Sequence, residues 1–346
     1  MENPSGIYQA IDANLNRCAE GLRVAEEVFR FVQSDVFLAG RLKDTRHLLA
    51  KIASSFPGLL RLQARDRQTD VGRSLTGERE YQREDLGEIL GANLNRATEA
   101  ARLLEEFGKL VQPEIATLCE SMRYQIYDLQ KACELAFHYQ QSMNDIRICV
   151  LVETGPSNEA FSNFVTGLGD WPKMIQLRDK HADDSTLLER GRLLGKLTQD
   201  TPSIWIMNDR CDLAVASDAD GVHLGQEDLS VSEARRIVGP DRIIGVSTHN
   251  MAQAETAVLD GAGYIGVGPT FPSQTKSFNE FAGLEFVSQV ANTFSLPAFA
   301  IGGINDTNIQ QVLEAGGTRV AVTQAAKDSD ALEAIRVVIQ ARRASE

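Results

Sequence analysis

Apolar and polar positions change rhythm once along this chain. Up to residue 133 the apolar residues recur at helical spacing, in 13–30, 38–52, 92–109 and 115–133. From Ile146 onward they gather into short runs separated by helical segments, at 146–153, 173–179, 203–209, 221–225, 243–248, 264–268, 297–303 and 319–324. Runs of that length between helical stretches predict buried parallel strands. Eight such units in about 200 residues predict a (β/α)8 TIM barrel over 146–346, with an open doubly wound sheet as the alternative. The fold class is therefore α/β, preceded by an all-α helical-bundle domain over 1–140. A length of 346 residues also favours two domains.

The helical part is an internal repeat. ANLNRCAEGLRVAEEVFR (13–30) returns as ANLNRATEAARLLEEFGK (92–109), offset by 79 residues with nine of eighteen positions identical. Each copy is followed by a second helical pattern. Two copies are too few for a solenoid and fit a duplicated helix pair in a four-helix bundle. Arg and Glu alternate every three residues in both copies, which makes either a solvated ion-pair stripe or a shared inward-facing site. Between the pairs, 61–85 is polar and Arg-rich; Arg65, Arg67 and Arg73 beside Gly72 suit a phosphate.

The barrel part carries the sharper chemistry. SIWIM (203–207) ends on Asn208 and Asp209, and GVHLG (221–225) ends on Gln226, Glu227 and Asp228. Parallel neighbouring strands put Asp209 and Asp228 at one sheet edge. There they suit Mg²⁺, which takes one or two carboxylates and fills its shell with water and phosphate oxygens; each Asp alone also suits a helix cap. The same edge carries Gln176, Arg178 and Lys180, then Ser247, Thr248 and His249, Thr270 with PSQTK (272–276), Gly302 and Gly303, and Thr323 with Gln324. Loops after strands seven and eight are the usual phosphate seat of such a barrel. With Arg178, Lys180 and Lys276 across the mouth, the set implies two phosphorylated ligands, one a chelated diphosphate. His249 is read as a general acid or a helix-start residue, His223 as a packed histidine and Trp205 as core.

Formal charge is −13. It divides into 18 Lys/Arg against 21 Asp/Glu in 1–140 (−3), and 17 against 27 in 141–346 (−10). An acidic chain without a basic tract argues against nucleic acid. The five cysteines form no CxxC pair, as in a reducing compartment. With no signal peptide and no membrane-spanning run, a cytoplasmic location is expected.

QLRDK (176–180), NDRCDLAVASDADGVHLGQEDL (208–229), GVSTH (245–249), GVGPTFPSQTK (266–276) and AIGGI (300–304) resemble, in order, the motifs of thiamin phosphate synthases. The resemblance implies a transferase of thiamine biosynthesis that joins hydroxymethylpyrimidine diphosphate to a (carboxy)thiazole phosphate and releases diphosphate. It implies that Gln176, Leu177, Arg178, Asp179, Lys180, Asn208, Ser247 and Lys276 hold the pyrimidine diphosphate. Ser273, Gln274, Thr275, Gly303, Thr323 and Gln324 would then hold the thiazole phosphate, and Asp209 and Asp228 the Mg²⁺. Arg178, Ser247 and Lys276 are the expected catalytic set. Ser273 stands where the family has Thr, Gln324 where it has Ser, and VLVETGPS (150–157) lacks the usual tyrosine. NRCAEGLRVAEEVFRF, DVGRS and NRATEAARLLEEF resemble a helical domain fused to some of these synthases and associated with hydroxymethylpyrimidine-phosphate kinase activity. A purely structural appendage is the other reading of 1–140. Other readings of the barrel are a thiazole tautomerase-type isomerase using His249, and a non-catalytic binder of thiamin or thiazole phosphate.

Overall fold

The computed structural model describes residues 4–65, 83–272 and 282–344. The chain divides into two compact units, Met1–Glu134 and Leu135–Glu346.

In the first unit the four predicted helices form as α1 (Pro4–Glu27), α2 (Val36–Ser55), α4 (Leu86–Val111) and α5 (Pro113–Ser142), with a short α3 (Gly58–Gln63). Two of them begin where a polar side chain takes an orphan N–H. Asp35 accepts from Leu38 N at 2.7 Å to start α2, and Asp85 from Glu88 N at 2.8 Å to start α4. On α4 the buried set Leu90, Leu94, Ala97, Ala101, Leu104 and Gly108 follows helical spacing and makes the inward stripe.

The repeated Arg/Glu pattern resolves into two layers. Glu26 and Glu105 are buried, at 3% and 4% exposure, although carboxylates are seldom buried without a partner. Each is clasped by an arginine from the following helix, Arg46 for Glu26 and Arg123 for Glu105, the latter at 2.8 Å. The preceding arginines, Arg23 and Arg102, join them from the same helix and also pair outward with Glu27 and Glu106. The stripe thus pairs outward to solvent on one side and around a buried carboxylate on the other. The partners lie 20 residues apart in the first copy and 18 in the second. A π-helical turn, Val28–Val32, and a longer connection in the first copy account for the difference. Burial alone would raise the Glu105 carboxyl, but Arg123 and Arg102 outweigh it and hold the group below its ordinary range.

In the second unit eight short parallel strands close in sequence order: β1 (Ile148–Val152), β2 (Met174–Leu177), β3 (Ile204–Asn208), β4 (Gly221–Leu224), β5 (Ile243–Thr248), β6 (Tyr264–Val267), β7 (Ala298–Ile301) and β8 (Val320–Val322). Pairing of β1 with β8, Cys149 opposite Ala321, completes the ring and excludes the open sheet. Helices follow the strands and cover the outside, so all strand C-termini share one rim.

Small residues fix where helices cross. A Cβ at Gly21 on α1 would lie 2.4 Å from the Asn93 carbonyl oxygen of α4, whereas one at Gly40 on α2 meets nothing within 4 Å. Gly21→Ala should therefore cost about 1–3 kcal/mol through overpacking. Gly40→Ala should stabilise by up to about 1 kcal/mol through helix propensity. Urea unfolding of the two variants checks both signs.

Candidate active site

Residues opposite one another in strand register share a face of the sheet, and alternate residues along a strand share it too. Gln176 on β2 lies in register with Leu151 and Ile206, and Asn208 with His223. His223 pairs with Gly245, which pairs with Tyr264; Ser247 pairs with Gly266. The Tyr264–His223 hydrogen bond runs inside the barrel. The register therefore puts Gln176, Asn208, His223, Gly245, Ser247, Tyr264 and Gly266 on the inner face. Arg178, two residues beyond Gln176, continues this parity to the rim, and Thr323 does so after Ala321 on β8. Leu177 falls on the other parity and is fully buried, backbone included, so it faces away from the barrel mouth.

Asp209 follows β3 in a left-handed conformation, φ 60°, a cost for a non-glycine residue that a short polar side chain tolerates. Its N–H donates to the His223 carbonyl at 2.8 Å. Asp228 reaches back from the loop after β4 and accepts from Gly225 N at 2.7 Å. The two carboxyl groups act on one another: burial first, then Asp228, raises the Asp209 carboxyl, against the pull of Lys180 and Arg178. Lys180 Nζ lies 4.0 Å from Asp209 Oδ2. Two crowded carboxylates flanked by cations suit a divalent ion with phosphate oxygens, and this donor set fits Mg²⁺ chemistry. Among the described residues no group of three or more His, Cys, Asp or Glu side chains converges as a metal site. Next along the chain, Arg210 binds Asp184 at 2.9 Å and Asp212 at 2.7 Å, engaging two further carboxylates away from this pair.

Deeper in the barrel lies a polar chain that the sequence reading missed. Ser247 Oγ is 2.8 Å from His223 Nε2, and His223 Nδ1 is 2.9 Å from the Tyr264 hydroxyl. Gln176, 4% exposed, acts on that same hydroxyl and offsets part of the upward push of burial on it. Burial, and then Arg178, pushes His223 down to about 4, so its ring is neutral near pH 7. Tyr264 was hidden because a tyrosine in a strand reads as core, and His223 because a single histidine in an apolar run does too. Gly245 is the available signal: a Cβ there would sit 2.1 Å from Tyr264 Cζ, so the glycine makes the slot for the ring.

Other expected residues take local duties. Asp179 accepts from Thr154 Oγ1 at 2.6 Å and from His181 N at 3.0 Å; burial would raise its carboxyl, and these bonds bring it below its ordinary range. His249 Nδ1 lies 2.6 Å from the Gly268 carbonyl oxygen, which ties the ring to the loop after β6. Gln226 donates to the Ser247 carbonyl at 2.6 Å and braces the end of β5. Gly303 has φ 65°, and a Cβ there would meet the Pro272 carbonyl oxygen at 2.7 Å. Gln324 is exposed at the start of the short 3-10 helix Ala325–Lys327. Ser273, Gln274, Thr275 and Lys276 lie outside the described residues, as do Arg67, Gly72 and Arg73. Arg65 pairs with the buried Asp12. In the helical unit a cleft of about 550 Å³ is lined by Arg23, Glu26, Arg30, Lys43, Arg46 and His47, among others.

A closed (β/α)8 barrel with paired carboxylates and cationic side chains at one rim is the frame of an enzyme acting on phosphorylated small molecules. Residues 151–326 match the family model described as thiamine monophosphate synthase, and residues 9–132 match that of the ThiD2 family. Thiamine-phosphate synthases of Rhodopirellula baltica and Nostoc punctiforme are 41% and 42% identical to this chain. The first alignment covers 94% of this chain and 90% of the relative, the second 92% and 89%. A solved thiamine phosphate pyrophosphorylase from Pyrococcus furiosus superposes with TM-score 0.50 at 32% identity, covering 57% of this chain and 98% of that one. The chain belongs to the thiamine-phosphate synthase family. It is a transferase of thiamine biosynthesis with small-molecule substrates, from a family that uses a metal ion. No helix among the described residues is long and apolar enough to cross a membrane.

Gly245→Ala should expel the Tyr264 ring from its slot. The expected result is a lower unfolding midpoint and loss of the buried-tyrosine signal in near-ultraviolet circular dichroism. An unaltered spectrum at unchanged stability contradicts the packing described.

Proposed function

We propose that the barrel, residues 146–346, joins hydroxymethylpyrimidine diphosphate to a thiazole phosphate with displacement of diphosphate, and that Mg²⁺ assists. The supporting observation is the meeting of Asp209 and Asp228 beside Lys180 and Arg178 at one rim. In this reading Asp209 and Asp228 hold Mg²⁺, which when bound neutralises the charge of the departing diphosphate. Arg178, Lys180 and Lys276 spread that charge further, and the Ser247 hydroxyl donates to a phosphate oxygen. Asn208 and Asp179 complete the pyrimidine side with Gln176. Ser273, Gln274, Thr275, Gly303, Thr323 and Gln324 seat the thiazole phosphate.

The electron-rich aminopyrimidine ring stabilises positive charge on its exocyclic methylene, so the carbon–oxygen bond breaks ahead of attack. The thiazole nitrogen then bonds to that carbon with its own lone pair. The nitrogen carries no proton, so no general base is needed. The protein's work is to hold both rings in line and receive the leaving charge. Where the thiazole carries a carboxylate, that group leaves as CO₂. The enzyme acts in the cytoplasm in this reading, with neither nucleic acid nor membrane as partner.

For the helical domain, 1–140, we infer phosphorylation of hydroxymethylpyrimidine phosphate to the diphosphate that the barrel consumes. What favours it is the ThiD2 match together with the cleft lined by Arg23, Arg30, Lys43 and Arg46.

Asp209→Ala should lower diphosphate release by on the order of 10²–10³ and flatten its dependence on Mg²⁺. Wild-type turnover in limiting Mg²⁺ would count against the metal assignment. The full chain given ATP and the pyrimidine monophosphate should form ADP and the diphosphate; no ADP would leave the helical domain structural.

A further inference from the structure

The chain of buried polar groups behind Ser247 has a direction. The Tyr264 hydroxyl lies 2.9 Å from His223 Nδ1, and His223 Nε2 lies 2.8 Å from Ser247 Oγ, with the Gln176 side chain acting on the far side of the same hydroxyl. A neutral imidazole has one donor nitrogen and one acceptor nitrogen, and a phenol has one proton to give. Only two polarities satisfy every link. In one, Tyr264 donates to Nδ1, and Nε2–H donates to Ser247 Oγ. The serine proton then has no place inside the barrel and points to the rim. In the other, every bond reverses: Ser247 donates inward, and its lone pairs face whatever binds at the mouth.

We propose that the first polarity operates, so that Gln176, Tyr264 and His223 hold the Ser247 hydroxyl as a donor aimed at the departing diphosphate; Tyr264 and His223 are positioning residues of the reaction. The proposal rests on the role given to Ser247 under Proposed function. The arriving group is anionic, and an oxygen that has given its proton inward would repel it, whereas a hydroxyl already accepting from Nε2–H is a better donor. The arrangement is built into the barrel. Tyr264 is 2% exposed and packs edge-on against Phe299 with ring centroids 5.5 Å apart. It also stacks on His223 at 5.4 Å, in the slot that Gly245 leaves. Rings so confined cannot turn to exchange partners, and every member of the chain is satisfied.

The test joins a spectroscopic readout to kinetics on the full-length protein. With ¹⁵N-labelled histidine, long-range proton–nitrogen correlation tells which ring nitrogen of His223 carries the proton, the signal being assigned by its loss in His223→Gln. The expected form is Nε2–H. Tyr264→Phe removes the donor to Nδ1 while keeping the ring, so the tautomer should shift toward Nδ1–H. Its kcat should fall about tenfold with KM for the thiazole phosphate unchanged. Ser247→Ala should lower kcat by on the order of 10², and adding Tyr264→Phe to it should cost nothing more. Nδ1–H in the wild-type protein, or full additivity of the two substitutions, overturns the proposal. Nε2–H together with an undiminished kcat in Ser247→Ala overturns instead the leaving-group role of the serine.

Discussion

The alignment of β3 with β4 governs this active site. With Asn208 opposite His223, the next residue along β3 gives its N–H to the His223 carbonyl at 2.8 Å. That residue is Asp209, and the bond fixes it where the strand ends and the chain turns through φ 60°. One register thus sets the Asp209 carboxylate at the rim and the imidazole in the interior. A slip by a single residue would send both side chains to the opposite face. Closure of the ring then brings Arg178 and Lys180 from one neighbour and Ser247 from another to the same opening.

Electrostatics at that opening are balanced rather than relaxed. Asp209 is disfavoured as an anion by burial and by Asp228, and favoured by Lys180 and Arg178. Such a site gains from a divalent ion and from phosphate oxygens that accept the surrounding positive charge. Arg210 engages the nearby Asp184 and Asp212, so the acidic character is concentrated on the two carboxylates. The helical unit handles buried charge differently: Glu26 and Glu105 each have guanidinium partners from two helices.

Much of this was legible in the chain because parallel barrels are regular. Eight apolar runs each ended on polar residues, and parallel strands put those ends together, so Asp209, Asp228, Arg178 and Ser247 could be read from position alone. The repeat in the first unit was equally plain, since identical residues 79 apart lie on matching helices. What periodicity conceals is pairing across space. Nothing in an alternating pattern says that Glu26 meets Arg46, because the partner lies on another helix at a distance set by the connection. The Gln176–Tyr264–His223–Ser247 chain was hidden for the same reason: its members come from four strands and touch only after the barrel closes. Glycine is the trace such contacts leave, at Gly21 where helices cross and at Gly245 beneath the tyrosine ring.

In the proposed reaction Asp209 and Asp228 would together hold one divalent ion, and the diphosphate would supply it further oxygens. Diffraction from crystals grown with Mn²⁺ and inorganic diphosphate, recorded near the manganese edge, tests it most directly. A single anomalous peak shared by both carboxylates and a diphosphate oxygen is the predicted result. A peak bound elsewhere, or diphosphate seated at the rim with neither aspartate touching a metal, would contradict it.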